Sequence, residues 1–515
     1  MNRDGANESI WQHKTANYET KPGRKADEIC DVLIIGGGIT GVTTALLLQK
    51  AGKKCVLAEA MTLGFGTTGG TTAHLNDFFD TPYYKVIKDF GESNAKLLAE
   101  AASEAMTLIK ANVEDYHIDC NYETKDGYLF ALNENQIKEL EDIVESAQKM
   151  GVGVGFINDS PFPIPYLKIA CFREQAQFQP VKYILQLAAE FEKGGGVIMQ
   201  NCRVNQLSGG DIVEATFAGG TIKAKHVIYA THIPPGVNIL HFRCAPYRSY
   251  AIAATLKNDK YPDALGYDLN DPYHYYRSQD IDGKKYLIAG GEDHKTGHEE
   301  NTDACFRRLE SHLKSYFEIE SIDFHWSSQY FEPADGLPYI GHLPGNGENV
   351  FTATGFGGNG MIYGTISAIL LRDLIVKKES KYKDLFSPGR IKPLAGMSNF
   401  VKEGADVVKI LFTSPFSGEQ LKEFADIAAG EARIVKHDGN KMALYKDEQH
   451  RLHAVSSACT HIKCSLTWNG TEKSWDCPCH GSRFSIDGEI LTAPAVVELE
   501  KVNIGEASLS NAERK

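Results

Sequence analysis

Residues 31–59 read Asp31-Val-Leu-Ile-Ile35-Gly36-Gly37-Gly38-Ile39-Thr40-Gly41-Val-Thr-Thr-Ala45-Leu-Leu-Leu-Gln-Lys50-Ala51-Gly52-Lys-Lys-Cys55-Val-Leu-Ala58-Glu59. Asp31–Ile35 is a short apolar run of the kind a buried parallel strand needs. A helix-like stretch follows over Val42–Ala51 and ends at Gly52, and Cys55–Ala58 reads as a second strand closing on Glu59, eighteen residues past Gly41. The glycines therefore form G-x-G-x-x-G inside a strand–turn–helix–strand unit, the context that gives the pattern its meaning. Gly36 permits the tight turn, Gly38 lets backbone approach a pyrophosphate, and Gly41 lets helix and strand pack closely. The helix N-terminus adds N–H donors and positive dipole for phosphate, and Glu59 can accept hydrogen bonds from a ribose diol. The expectation is an α/β, Rossmann-like dinucleotide-binding domain.

The whole chain has 515 residues, enough for three or four folded units. Lys plus Arg is 54 against 67 for Asp plus Glu, a formal charge of −13 that argues against nucleic-acid binding, since phosphate neutralisation needs clustered basic residues. The polar start, MNRDGANESIWQHKT, has no apolar core of a signal peptide. Val32–Leu48 is too short and too rich in glycine to be a membrane span. A cytoplasmic protein without a transmembrane segment is expected. Of eleven cysteines, seven (Cys30, Cys55, Cys120, Cys171, Cys202, Cys244, Cys305) are scattered, whereas Cys459, Cys464, Cys477 and Cys479 fall within 21 residues and need a separate explanation.

Downstream of the fingerprint, Gln179-Pro180 opens a helix through Glu192, ended by Gly194-Gly-Gly196. Next come Val197–Val204 and an expected strand at Ala224–Thr231. Then come Asp335-Gly-Leu-Pro-Tyr-Ile-Gly341 and Asn349-Val-Phe-Thr-Ala-Thr-Gly355-Phe356-Gly357-Gly358-Asn359-Gly360-Met361. The latter is a second G-x-G-x-x-G, but no strand ending in an acid follows its helix, so it reads as part of one site. No separate NAD(P)H domain is visible, and electrons are expected from an organic substrate. With these motifs, residues from about 30 to 376 resemble the FAD-dependent oxidoreductases of the D-amino-acid oxidase, glycine oxidase and sarcosine oxidase group.

The resemblance implies FAD, held by Gly36, Gly38, Ile39, Thr40, Gly41, Glu59 and Ala60. The loop Gly64–Ala73 would lie along the pyrophosphate and flavin through Gly66, Thr67 and Thr68, and Val204 would meet the adenine through its backbone, near Ala230 and Thr231. The turn Gly355–Gly360, with Phe356, Gly357, Gly358, Asn359 and Met361, would aim a helix N-terminus at the pyrimidine end of the flavin, where a dipole stabilises negative charge. Sarcosine oxidases carry a carboxylate-binding Lys two residues past the last glycine, where this chain has Ile362. They attach flavin through a Cys, and Trp326-Ser-Ser-Gln-Tyr330 has none, so FAD is expected to be non-covalent. Two cover strands are expected at Tyr247–Leu256 and at Tyr273–Ser278 with Lys285–Gly290. On them Arg248, Tyr250, Tyr275 and Arg277 are candidates for gripping a substrate carboxylate or stacking on substrate.

The dense cysteines read Cys459-Thr-His461-Ile-Lys-Cys464 and, after twelve intervening residues, Cys477-Pro-Cys479-His480-Gly-Ser482. Each loop offers one Cys and one His, the donor set of a Rieske [2Fe–2S] centre, in which two thiolates hold one iron and two neutral imidazoles the other. Structural zinc also takes two Cys and two His, but usually through C-x₂₋₄-C pairs, and it leaves the extra Cys in both loops without a role. Residues 417–507 resemble a Rieske domain, with short alternating segments at Ala432–Val435, Lys441–Tyr445 and Leu452–Ser456 separated by turns such as Asp438-Gly-Asn440. That resemblance implies cluster ligands Cys459, His461, Cys477 and His480 and a disulfide between Cys464 and Cys479. It also implies a hydrogen bond from Ser482 to a bridging sulfide, and a shielding loop at Ala493-Pro494-Ala495. Phe484 stands where high-potential members carry a Tyr that bonds a ligand sulfur.

The expected domains are an FAD-dependent oxidoreductase over 1–385, a linker over 386–416 with a short helix at Lys402–Phe412, and the Rieske domain over 417–515. Within the first, FAD-binding segments fall at about 30–75, 175–235 and 330–376, and an antiparallel-sheet α+β substrate domain at about 76–174 and 236–329. Helices are expected at Glu92–Val113 and at Glu134–Met150, the latter with a capping box of Asn133 and Gln136. Glu292-Asp-His294-Lys-Thr-Gly-His298 has metal-ligand chemistry, but Gly290, Gly291 and Gly297 argue for a turn. The fusion reads as a dehydrogenase that oxidises an amine, imino acid or amino acid at FAD and passes electrons singly through the cluster to an external acceptor, a ferredoxin or a quinone. The alternatives are a non-catalytic redox carrier or sensor, and a reductase fed through the cluster by a ferredoxin.

Overall fold

In the computed structural model, residues 3–21, 29–390, 419–420, 427–437 and 440–503 are described. The expected helix at 402–412, most of the 386–416 linker and the first two residues of the turn at 438–440 lie outside them.

The apolar run that opens the fingerprint forms the strand Cys30–Ile35, and it is the middle of a sheet. Gly220–Tyr229 lies parallel on one side, and Cys55–Ala58 followed by Val197–Met199 on the other. Val350–Thr354 extends the parallel set, and Tyr339–His342 closes it as an antiparallel edge. One face of these strands, with Val32, Ile34 and Leu57, is buried under the helices Ile39–Lys50, Pro180–Lys193 and Gly360–Val376, and the other, with Leu33, Ile35 and Val56, against Val213, Ala215 and Ile222 of an antiparallel strand pair and against Leu240 and Phe331. The helix Gly360–Val376 is apolar all round, because it packs among other helices and has almost no solvent face.

A second sheet of nine strands is mostly antiparallel. Its path runs Ile319–Pro333, Cys244–Leu256, Lys284–Lys295, His274–Ile281, Leu265–Asp268, Glu123–Ala131, Lys168–Gln177 and His74–Leu75. The cover strands thus appear where expected, each longer than its sequence signal, since ladder bonds continue past the last β-favouring residue. Glu92–Asp115 and Glu134–Lys149 are helices as read. Asn133 caps the second through Asn135 and Gln136 N–H, but the Gln136 side chain accepts from Leu132 N, so only half of the expected box forms. From Glu419–Gln420 onward, two four-stranded sheets make up the described part of the C-terminal unit. Among the described residues, no helix is long and apolar enough to cross a membrane.

The polar N-terminal segment, which carries no pattern, is a strap. Ser9, Trp11 and Gln12 donate to the carbonyls of Gly69, Thr71 and Gly64, and Asn7 reaches Thr471 O in the C-terminal unit. At its tip lies a buried network of three guanidinium and three carboxylate groups drawn from three parts of the chain. Arg483 pairs with Asp4 at 3.0 Å and Asp476 at 3.1 Å; Arg3 pairs with Asp4 at 3.2 Å and Glu472 at 3.4 Å; Arg248 lies 3.6 Å from Asp476. Glu472 also accepts from Ser327 N and Oγ. All six side chains are under 8% exposed, so the charges are matched in a medium where a lone one would be very costly.

Burial alone would raise the Glu472 carboxyl, but Arg3, Arg248 and Arg483 outweigh it and hold it at about 2. Its contribution is therefore complete above its ordinary value of 4.5 and is lost as pH falls towards about 2. Removing one partner from such a pair costs about 3–5 kcal/mol, so Glu472→Ala is expected to lower the unfolding free energy read from urea titration by that amount at neutral pH and by much less near pH 2. A loss below about 1 kcal/mol at neutral pH would show that the network does not hold the two units together.

Candidate functional site

A cavity of about 660 Å³ opens between the parallel sheet and the nine-stranded sheet. Every residue expected to contact FAD lines it except Gly41 and Gly355. Those two act through the backbone: a Cβ on Gly41 would sit 1.9 Å from Gly36 O, and Gly355 has φ +76° with Cys244 and Pro333 at 3.2 Å. Gly36 has φ +115° and Ala230 O 2.4 Å from where its Cβ would be. Such a cradle, which any side chain would fill, suits a dinucleotide pyrophosphate. Glu59 accepts from Gly37 N at 2.6 Å and Met61 N at 2.8 Å, which fixes its carboxyl at the cavity wall with capacity left for a ribose. These residues fit FAD.

Sequence reading missed part of this wall. Asp4 of the strap lines the cavity, as do Leu491, Thr492, Ala493, Ala495 and Val496 of the C-terminal unit, next to Arg203 and Val204. Arg203 donates to Ile490 O, and Gly236 N to Pro494 O, so the expected shielding loop also closes the nucleotide end of the other cofactor's cavity. No local motif announces a contact between residues so far apart in the chain.

Three of the four substrate candidates are corrected by the structure. Ser249 and Ala251 face the cavity, so the alternation of the strand Cys244–Leu256 turns Arg248 and Tyr250 to its other face. Arg248 is 1% exposed and joins the buried charge network, and the Tyr250 hydroxyl pairs with His294 Nε2 at 2.9 Å. Arg277 is fully buried, donating to the carbonyls of Thr72, Ala73 and Phe178 and to Gln279 Oε1. Only Tyr275 lines the cavity, hydrogen-bonded to Ser249 Oγ at 2.9 Å.

Carboxyl groups gather on that side instead. Asp80 lines the cavity and accepts from Gly358 N at 2.7 Å, while Asp293 accepts from Tyr330 OH at 2.8 Å. Glu332 approaches the same glycine turn: a methyl on Gly357 would lie 3.1 Å from Asp80 Oδ2 and 3.6 Å from both Glu332 oxygens. Burial lifts Asp293 to about 7, and burial with the charges of Asp80 and Asp293 lifts Glu332 to about 8.

The second centre lies in the C-terminal unit. Cys459 and Cys477 are fully buried with their thiols in hydrogen-bond contact, and Cys464 is disulfide-bonded to Cys479, tying the two loops. The rings of His461 and His480 are 5.1 Å apart and nearly perpendicular, and all four ring nitrogens are buried without a partner. Burial pushes His480 down to about 3, which keeps its imidazole neutral, as a Rieske ligand would have to be. Two thiols and two orphaned neutral imidazoles fit a Rieske cluster. Ser482 Oγ accepts from Ala495 N, leaving its own hydrogen free to donate towards the ligand sulfurs.

The cluster edge faces the flavin-type unit. His241 lies 4.8 Å from the His461 ring, Phe242 lies 5.2 Å from the His480 ring, and Gln329 Nε2 donates to Gly481 O at 2.9 Å. Two other metal readings fail among the described residues. Glu292–Lys295 is strand, with both His294 nitrogens hydrogen-bonded. Asp268, His274 and His312 come together, but the two rings stack at 3.7 Å and 11°, so no ion could lie in both ring planes.

The sequence model of the family described as FAD dependent oxidoreductase matches residues 31–374, and that of the Rieske [2Fe-2S] domain residues 420–503. The chain is 34% identical over 502 residues, 97% of its own length and 98% of the relative's, to YhfW of Bacillus subtilis (strain 168), described as a Rieske 2Fe-2S iron-sulfur protein. It is 23% identical over 403 residues to the gamma-glutamylputrescine oxidoreductase of Escherichia coli (strain K12), covering 75% of this chain and 90% of the other. The structure of glycine oxidase from Geobacillus kaustophilus superposes with a TM-score of 0.59 at 18% identity, over 70% of this chain and 99% of that one, which shows a shared fold.

Phe484 is fully buried and pairs with Trp475, and its ring offers the ligand sulfurs no hydroxyl. A missing donor leaves the reduced cluster less stabilised, so the midpoint is expected below the upper end of the Rieske range of about −150 to +300 mV. Phe484→Tyr should raise it, as read by redox titration of the EPR signal; a wild-type midpoint near the upper end would contradict the assignment.

Proposed function

The chain belongs to the FAD dependent oxidoreductase family and carries a Rieske [2Fe-2S] domain behind it, and from this premise we propose a flavo-Rieske dehydrogenase. It oxidises the C–N bond of an amine, imino acid or amino acid at FAD and delivers the electrons singly, through the cluster, to an external acceptor. When bound, FAD supplies a two-electron acceptor and the cluster a one-electron carrier. The relatives' names support the substrate range, since one is an oxidoreductase of gamma-glutamylputrescine and the other an oxidase of glycine.

The observation that carries the reading is Gln329. Its residue lines the large cavity, its backbone carbonyl accepts from Thr67 Oγ1 at 2.9 Å, and its side-chain amide holds Gly481, next to the ligand His480. One side chain thus spans from the cavity wall to the cluster loop. The protein's own groups do the rest of the work. The glycine cradle positions the dinucleotide, the 491–496 segment screens it from water, and the chain Tyr275–Ser249 with Asp293 can hold a proton beside the cavity at neutral pH.

Anaerobic rapid mixing of the holoprotein with a panel of amines and amino acids tests this. A substrate should bleach the flavin absorbance, and the EPR signal of the reduced cluster should follow. Bleaching without a cluster signal would sink the wiring. Reduction by a protein donor or dithionite alone would leave a carrier or a ferredoxin-fed reductase.

A further inference from the structure

A substrate carboxylate needs a cation to receive it, and the inner cavity presents none. Among the described residues lining it, the only Lys and Arg are Lys85 and Arg203. Arg203 lies at the nucleotide end beside Val204, and Lys85 is on an exposed stretch of the helix Tyr83–Phe90. Arg248 and Arg277 are turned away and already bonded, and Ile362, at the start of the helix after the glycine turn, is apolar and buried.

The wall that does face inward has the opposite character. Asp80, Tyr273, Tyr275 and Tyr330 line it, with Asp293 and Glu332 immediately behind. Tyr363, 3% exposed, stacks on Phe79 of the same wall at 4.7 Å, and its hydroxyl has no hydrogen-bond partner. One oxygen of Asp293 is likewise buried without a partner. Burial raises all three carboxyl groups, and the charge of Asp80 adds to it at Asp293 and at Glu332, so a cation in their midst would be stabilised, and tyrosine faces attract ammonium groups.

We propose that the cavity is built for a cationic aliphatic amine without a carboxylate, an alkyl diamine above all, with one ammonium received by Asp80 and Glu332 and the carbon chain laid against the tyrosines. The class of substrate rests on the C–N oxidation reading above, but the binding rests on the cavity wall alone. Glu332 is faced by Asp80 from the loop before the helix Tyr83–Phe90, by Asp293 from its neighbouring strand, and by the hydroxyls of Tyr273 and Tyr330; His274 partly offsets the charge at Asp293. With carboxyls that ionise near pH 7 and 8, an ammonium displaces protons on binding, so its affinity should rise with pH while the amine itself stays charged.

The test is equilibrium binding to the anaerobic FAD-loaded holoprotein, read by perturbation of the flavin visible band, with 1,4-diaminobutane and butanoate as matched probes. The diamine should bind about tenfold tighter at about pH 8 than at about pH 6, and butanoate should bind far more weakly at both. Glu332→Gln should weaken the diamine about tenfold and flatten its pH dependence, with Asp80→Asn as the second variant should the first lose FAD. Tighter binding of butanoate, or diamine binding indifferent to pH and to these substitutions, overturns the proposal. Diamine binding without bleaching of the flavin supports this site, and the oxidation reading falls separately if no member of the amine and amino-acid panel bleaches it.

Discussion

Three arginines and three acids, closed off from water, hold the molecule in its working arrangement. Asp4 comes from the N-terminal strap, Arg248 from the strand next to one edge of the substrate sheet, and Glu472, Asp476 and Arg483 from the cluster-bearing unit. Buried ions are costly unless each finds its counterpart, so the network tolerates few relative positions of the three parts. A hydrophobic interface could slide by a residue; this one would leave an unmatched charge. The cavity and the cluster loops are positioned by it.

The position so set is specific to joining two centres. The imidazole edge of the cluster site is pressed against His241, Phe242 and the Gln329 amide, and the loop 491–496, tied to Ser482 through Ala495 N, forms a wall of the dinucleotide cavity. Gly481 is needed at the joint. Its φ is +77°, and a Cβ there would lie 2.7 Å from Pro246 and 2.9 Å from Gln329 Nε2. An ordinary side chain would push the cluster loop off the flavin-type unit. The same glycine that bends the loop around the ligand His480 therefore allows the close approach of the two units.

Much of the site was legible because its requirements are local. A pyrophosphate cradle needs glycines at fixed spacing in a strand–turn–helix, and the cluster needs one Cys and one His on each of two tight loops, so both appear as short motifs. The substrate wall was not legible. Whether Arg248 faces the cavity depends on which face of its strand is inward, and period-two alternation gives two answers until the sheet is placed. Arg277 shares the face of Tyr275, yet two residues further along it is out of the cavity and tied to the backbone of the 72–73 loop. The strap was invisible for a different reason: it is held by side chains donating to distant carbonyls, and such bonds impose no periodicity on the sequence.

By itself the sequence determined the two cofactor chemistries and the order of the units, since each follows from residue types a few positions apart. Tertiary structure alone decided which charges meet. It brought Asp4 to Arg483 across 479 residues, and it gathered Asp80, Asp293 and Glu332 around one glycine turn while sending both candidate arginines elsewhere. Contacts of that kind depend on strand register and helix placement, and electrostatic energy falls off with distance in space rather than along the chain.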